Sequence, residues 1–163
     1  MNIEAEELRD LVRNLRSEGK TVIFTNGVFD VLHRGHAEYL NKSKALGDIL
    51  IVGVNDDDSV RRLKGPERPV NCLDDRIYVL NSLRSVDHTV VFGNDTPFEL
   101  IRLIMPDVLV KGGDYDPEMN DSSDSRYIVG SDIVKRAGGK VTVIELVEGR
   151  SSTNTINKLK EIK

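Results

Sequence analysis

Five short apolar runs rich in β-branched residues, at 21–24, 49–54, 88–92, 108–110 and 141–146, alternate with stretches of helical periodicity. Runs this continuously apolar suit strands covered on both faces. Strands that alternate with helices imply a mainly parallel sheet with right-handed crossovers. The intervening helical stretches fall at 37–46, 59–63, 74–83, 97–104 and 128–137, with a last one at 153–162. Thr96 before Pro97, with Glu99 in the first turn, is a typical helix start. Ile3, Leu8, Leu11, Val12 and Leu15 recur at helical spacing and Gly19 supplies a stop. They predict an amphipathic helix over 3–18, packed on the domain or on a second subunit. The expected fold is α/β: one Rossmann-like, doubly wound domain over 1–163 with a mainly parallel five-stranded sheet. Residues 1–19 form its N-terminal helix and 20–163 its core. No internal repeat and no linker suggests a second domain, and 163 residues suffice for one core.

Ligands of such sheets sit beyond the carboxyl ends of the strands. Polar clusters follow four of the runs, at 25–36, 55–58, 111–116 and 148–153, and can converge on one crevice. The net charge of −4 argues against a general nucleic-acid-binding surface. Cys72 stands alone, which excludes a disulfide framework or a cysteine zinc site and fits a reducing compartment. No run approaches the roughly 18 apolar residues of a membrane span. Glu4, Glu6, Glu7, Arg9 and Asp10 interrupt any signal-peptide core. A cytoplasmic protein with no membrane partner is expected.

The first cluster holds two of the three histidines, His33 and His36, in the arrangement HxGH. It follows an apolar run and precedes a helical one. A strand, a glycine-containing turn and a helix start cradle anions, because unpaired N–H groups and the helix dipole favour negative charge there. Two imidazoles add donors that can be cationic near neutral pH. A polyphosphate is the most economical ligand. Three residues apart, the imidazoles share one face of a helical turn. A zinc site needs further ligands, and His88 lies far along the chain in a strand, so no protein-held metal is expected. Gly35 permits close backbone approach, while Asn26, Gly27 and Asp30 supply turn chemistry. Asp30 either fixes the first turn or meets a substrate hydroxyl. Residues 114–127 are polar, turn-rich and too long for an ordinary connection, so they form a flap over the site or a solvated loop.

Gly-Val-Phe-Asp-Val-Leu-His-Arg-Gly-His, residues 27–36, resembles the signature of the nucleotidyltransferase superfamily that contains the cytidylyltransferases. Glu148-Gly-Arg-Ser-Ser-Thr-Asn154 resembles its second nucleotide-binding motif, and Asp75-Arg76 its arginine-bearing third element. Lys111-Gly-Gly-Asp-Tyr115 and Ile128-Val-Gly-Ser-Asp132 resemble the branch of adenylyltransferases that make ADP-heptose from heptose 1-phosphate. The resemblance runs from Thr21 to Leu159. It implies in-line attack of an acceptor phosphate on the α-phosphorus of ATP, with magnesium delivered alongside the triphosphate and a homodimer as the working state.

On this resemblance His33 and His36 serve the triphosphate as hydrogen-bond donors, and Lys64 is the phosphate-contacting lysine. Asn26, Gly27, Val28, Phe29 and Gly35 line the nucleotide with backbone. Arg76 adds charge at a helix start, where a cation is disfavoured unless a phosphate or a carboxylate such as Asp74 or Asp75 is near. Gly149, Ser151, Ser152 and Thr153 open the last helix, combining N-capping with phosphate binding. Cytidylyltransferases often carry an arginine where this chain has Leu146, and Arg150 is the nearby substitute. Lys111, Gly112, Gly113 and Asp114 belong to the nucleotide pocket. Arg61, in a basic segment with Arg62 and Arg68, and Tyr115 join Asp30 as possible acceptor contacts. The reading is an adenylyltransferase for a sugar 1-phosphate. Its rivals are a cytidylyltransferase for glycerol or ethanolamine phosphate, an FMN adenylyltransferase, and a non-catalytic nucleotide sensor.

Overall fold

The computed structural model describes residues 2–147 and 149–162. The sheet is wholly parallel, in the order β1-β4-β3-β2-β5-β6. Its strands are β1 (Asn2–Ile3), β2 (Val22–Gly27), β3 (Ile49–Asn55), β4 (His88–Phe92), β5 (Val108–Gly112) and β6 (Lys140–Ile144). The helices are α1 (Ala5–Ser17), α2 (Arg34–Lys44), α3 (Asp57–Lys64), α4 (Leu73–Asn81), α5 (Phe98–Ile104), α6 (Ser131–Arg136) and α7 (Ser152–Glu161). All five anticipated strands are present, and β1 adds a two-residue edge, with Ile3 opposite Val90. Ile3 therefore belongs to the sheet, and the helix begins at Ala5. One core lies on each face of the sheet: Phe24, Ile51, Val90 and Leu109 with α1 and α5, and Ile23, Leu50, Val52 and Val110 with α2 and α4. The fully covered middle strands explain why the sequence shows runs rather than alternation.

Leu8 and Val12 are buried in the first of these cores, so α1 spends its apolar stripe on its own domain. Helix α1 ends where predicted, at Gly19, whose φ of +74° closes the last turn.

Three strands run further than expected, β3 by the single residue Asn55, and the longer overruns of β2 and β5 shape the site. Thr25 and Asn26 read as turn residues, yet β2 continues to Gly27, with Asn26 opposite Gly53 and Gly27 opposite Val54. Thr25 is buried because its hydroxyl bonds to Tyr39 Oη at 2.6 Å. Tyr39 Oη in turn donates to Val110 O at 3.2 Å, so Thr25 is the donor of the pair. Likewise β5 runs through Lys111 and Gly112, opposite Val143 and Ile144. The strand order reverses between β2 and β5, and both overruns end at that crevice.

Candidate active site

Helix α2 starts at Arg34, with His33 as N-cap and His36 in its first turn, so the HxGH residues form the helix start itself. The His33 N–H donates to His36 Nδ1 at 3.3 Å, and the two rings stack with centroids 4.0 Å apart. Phe29 meets His36 edge-on at 5.7 Å. Gly35 is required here: a Cβ would lie 3.0 Å from the His33 ring and 3.3 Å from Arg150 Cβ. Gly27 has a similar reason, since its Cβ would lie 3.0 Å from the Phe29 ring. Phe29 itself sits at φ +49°, a strained backbone for a bulky residue, held by the packing of its ring.

Burial, reinforced by His33, pushes the His36 imidazole down to about 4, and burial together with the Arg150 charge lowers His33. Both lowered values favour neutral rings at neutral pH in the ligand-free site, so of the two forms open to these donors the uncharged one is present. Because His36 Nδ1 accepts a hydrogen bond, its proton resides on Nε2, which leaves a neutral donor for a ligand. His33 Nδ1 is buried without a partner.

These residues form one wall of a cavity of about 400 Å³. Asn26, Gly27, Val28 and Phe29 come from the end of β2, and Asn55 from β3. Lys111, Gly112 and Tyr115 follow β5, while Arg150, Ser151 and Ser152 come from the start of α7. Tyr39 and Leu146 also line it, and both press on Gly112, whose Cβ would lie 2.7 Å from Leu146 and 3.0 Å from Tyr39. Desolvation pushes the Tyr39 phenol up to about 12, which keeps it a protonated strut. Ser151 caps α7 by accepting the Asn154 N–H at 3.0 Å, and Ser152 Oγ donates to Val31 O at 2.9 Å. The second motif is thus fastened to the loop after β2. Glu148 lies outside the described residues.

Other anticipated residues are placed elsewhere. Arg76 is buried and does not line the cavity, and its guanidinium makes four hydrogen bonds: Nε to Asn71 O, Nη1 to Val28 O, and Nη2 to Asn55 O and to Asp57 Oδ1 at 2.8 Å. The carboxylate that meets it at this helix start is Asp57, not Asp74 or Asp75. Arg76 braces the loops that follow β2 and β3.

Asp30 is 3% exposed, and its carboxylate accepts from the Val70 and Asn71 N–H groups and from Arg68 Nε at 2.7 Å. Desolvation would raise its pKa, but these donors outweigh it and hold the carboxyl below its ordinary value. The structure thus carries the turn-fixing alternative and leaves no free oxygen for substrate. Arg61 pairs with Asp58 at 2.5 Å on the surface, and Arg62 with Asp95 at 2.8 Å. Lys64 and Thr153 do come together, but in an adjacent groove with Arg68, Ile156, Asn157 and Lys160. Gly113, Asp114 and Gly149 flank the main cavity without lining it.

The 114–127 segment is tied as a loop by the Asp116 N–H to Arg126 O bond at 3.0 Å, and only its first aromatic, Tyr115, lines the cavity. Tyr39 and Val147 line the cavity without any signal in the sequence, and Asn55 was anticipated only as a member of the 55–58 cluster. Tyr39 lies four residues beyond Gly35 in a helix, and Asn55 ends β3; only the fold turns them toward the site.

Residues 24–158 match the cytidylyltransferase-like family. The chain belongs to that family. Among similar cytidylyltransferase-like relatives, the bifunctional protein HldE of Syntrophotalea carbinolica is 51% identical over 154 residues, 94% of this chain and 30% of that protein. HldE of Nitratiruptor is 49% identical over 155 residues, 95% of this chain and 31% of the relative. The chain thus spans less than a third of the length of these relatives. A lipopolysaccharide core biosynthesis protein from Thermoplasma volcanium superposes with a TM-score of 0.59 at 27% identity, covering 81% of this chain and all of that one. Pantothenate synthetase from Thermus thermophilus, at 16% identity and a TM-score of 0.61, shares the fold, covering 94% of this chain and 66% of the synthetase. Among the described residues no helix is long and apolar enough to cross a membrane.

Proposed function

We propose that this chain transfers AMP from ATP to a sugar 1-phosphate, heptose 1-phosphate, giving ADP-sugar and pyrophosphate. The observation that carries the reading is the paired imidazole wall at the α2 N-terminus, facing Ser151 and Ser152 at the start of α7 across one cavity. The acceptor phosphate is already ionised, so no general base is needed. One of its oxygens bonds to the α-phosphorus while the bond from that phosphorus to the β-bridging oxygen breaks, and the electron pair leaves with pyrophosphate. The chain's contribution is alignment and stabilisation of the growing charge. His36 Nε2–H and the α2 N-terminus take the leaving pyrophosphate, His33 and Arg150 stand beside them, and Gly27 to Phe29 lie along the nucleoside.

The heptose acceptor is supported by the resemblance of residues 111–115 and 128–132 and by the HldE relatives. Among the described residues no three His, Cys, Asp or Glu side chains group together, so magnesium is proposed to arrive as the ATP complex, liganded by phosphates and water. Lys64, at the end of α3, is proposed to reach phosphate if the loop that follows it moves toward the cavity, and Thr153 is proposed to do so from the first turn of α7, next to Ser152. A homodimer in the cytoplasm completes the reading. Light scattering on the purified chain tests the dimer.

The deciding experiment is a pyrophosphate-release panel: ATP, CTP and GTP, each against heptose 1-phosphate, glycerol phosphate, ethanolamine phosphate and FMN. Release with ATP and heptose 1-phosphate is expected. Release only with CTP, or no release with any pair, refutes the proposal, the second outcome in favour of a nucleotide sensor.

A further inference from the structure

Lys111 stands at the end of β5 on a wall shared by two cavities. One is the nucleotide cavity; the other, of about 200 Å³, is also lined by Asp95, Thr96 and Tyr127. Its Nζ donates to Asn26 Oδ1 at 2.6 Å and lies 5.8 Å from the centre of the Tyr115 ring. No ion pair to it is found among the described residues. Burial with one neutral acceptor leaves two N–H groups and a full charge uncompensated, an arrangement that an arriving anion relieves. Consistently, desolvation pushes the ammonium down to about 8.

Two anions must meet in the proposed transfer. The triphosphate is taken by the α2 N-terminus and the imidazoles, and the second cavity offers hydroxyl, amide and carboxylate groups suited to a polyol. Lys111 lies where the two substrates would touch. Resting on the transferase reading, we propose that Lys111 binds the acceptor's phosphate monoester, and that Asn26 aims its Nζ so that the two remaining N–H groups hold the non-attacking oxygens. The ammonium thereby offsets the repulsion between the incoming phosphate and the α-phosphate. The attacking oxygen stays free to form the bond to phosphorus as pyrophosphate departs, and no proton moves.

The test has two arms. In steady-state kinetics with ATP and heptose 1-phosphate, Lys111→Met should raise the acceptor KM on the order of 10- to 100-fold, the loss of a charge-assisted hydrogen bond. The ATP KM should stay within about threefold. Lys111→Arg should recover part of the loss. A rise in the ATP KM with the acceptor KM unchanged, or no change in either, overturns the proposal.

The second arm uses the wild-type chain and no sugar. Lysines labelled with 13C at Cε are titrated by NMR with α,β-methylene-ATP bound, before and after addition of inorganic phosphate. The Lys111 pKa should rise when phosphate is added. A rise with the nucleotide alone and none with phosphate, or no rise at all, overturns the proposal. If the wild type ignores heptose 1-phosphate, the sugar assignment fails while this arm still decides the role of Lys111, and it does so even if Lys111→Met fails to fold.

Discussion

The sharpest consequence of the site geometry concerns the protonation state of His36. Its ring is pushed down to about 4 and its Nδ1 is occupied by the His33 N–H, so at neutral pH it offers Nε2–H as an uncharged donor. His36→Ala removes a preorganised donor from developing charge, which costs on the order of 10²- to 10³-fold in kcat. The same change also removes the stack on His33 at 4.0 Å and the edge contact with Phe29 at 5.7 Å. At about 0.5–1.5 kcal/mol each, those contacts cost roughly 1–3 kcal/mol of stability. For a chain of this size that lowers Tm by about 2–12 °C, which leaves the variant folded at 25 °C. Pyrophosphate release at 25 °C therefore reads the lost donor, with thermal melting as the control.

His36→Gln places an amide donor in the same region and should recover part of the rate without any ability to titrate. The ratio of wild-type to His36→Gln rates cancels the titration of ATP itself. A neutral donor makes that ratio flat through pH 6.5. A ratio that grows as pH falls through this value would mean that the imidazolium is the working form, and a near-normal rate for His36→Ala would remove this residue from the mechanism. Either result refutes the reasoning.

Two further substitutions test the scaffold beneath the site. Asp30→Asn leaves Arg68 unpaired and turns an amide group toward the Val70 and Asn71 N–H donors. It should cost about 2–4 kcal/mol at pH 7 by denaturant titration, slightly less than a fully buried broken pair because Arg68 is partly exposed. The folded-state pKa of Asp30 lies below its unfolded value near 4. Its stabilisation is therefore complete above that unfolded value and is lost as pH falls through the lowered folded one, so the wild-type advantage should shrink on acidification. An advantage independent of pH would exclude the carboxylate as its source. Arg76→Met strands three carbonyl groups and Asp57 and should cost about 3–5 kcal/mol, lowering Tm by roughly 10 °C. Nucleotide affinity should remain within about threefold at a temperature where the variant is folded, since neither Arg76 nor Asp57 lines the cavity. A large affinity loss without destabilisation would return Arg76 to the ligand.

Much of the fold was legible because buried parallel strands leave short, β-branched apolar runs between helical stretches, as at 49–54 and 88–92. Strand β6 stops at Ile144 rather than 146, and α6 begins at Ser131 rather than 128; elsewhere the strand boundaries that failed lie where a run ends in polar residues still paired in the sheet. Thr25 and Asn26 look like turn chemistry until Tyr39 and Gly53 supply partners from distant segments. The edge strand at Asn2–Ile3 is too short to have a period of its own, and only pairing with β4 defines it. The HxGH cluster was readable because strand, turn and helix start are contiguous in sequence.

The basic residues were not readable in this way, and the reason is physical. A sequence records that Arg61, Lys64, Arg68, Arg76, Lys111 and Arg150 are charged, but not which carboxylates they meet. Asp30 and Asp57 claim Arg68 and Arg76, and Asp58 claims Arg61. Those three charges are neutralised within the protein before any ligand arrives. Lys111 and Arg150 line the cavity, and the ammonium of Lys111 meets an amide oxygen and the Tyr115 ring but, among the described residues, no carboxylate. Phosphate selectivity then rests on two cations, two neutral imidazoles and two helix starts. In so sparsely charged a cavity, binding a triphosphate should draw a proton onto His33, whose imidazolium is suppressed by burial and by Arg150, while His36, held down to about 4, stays the neutral donor. Proton uptake on nucleotide binding, read by calorimetry in buffers of different ionisation enthalpy, should rise as pH is lowered toward 5.5, and no uptake at that pH would mean that the triphosphate lies away from this wall.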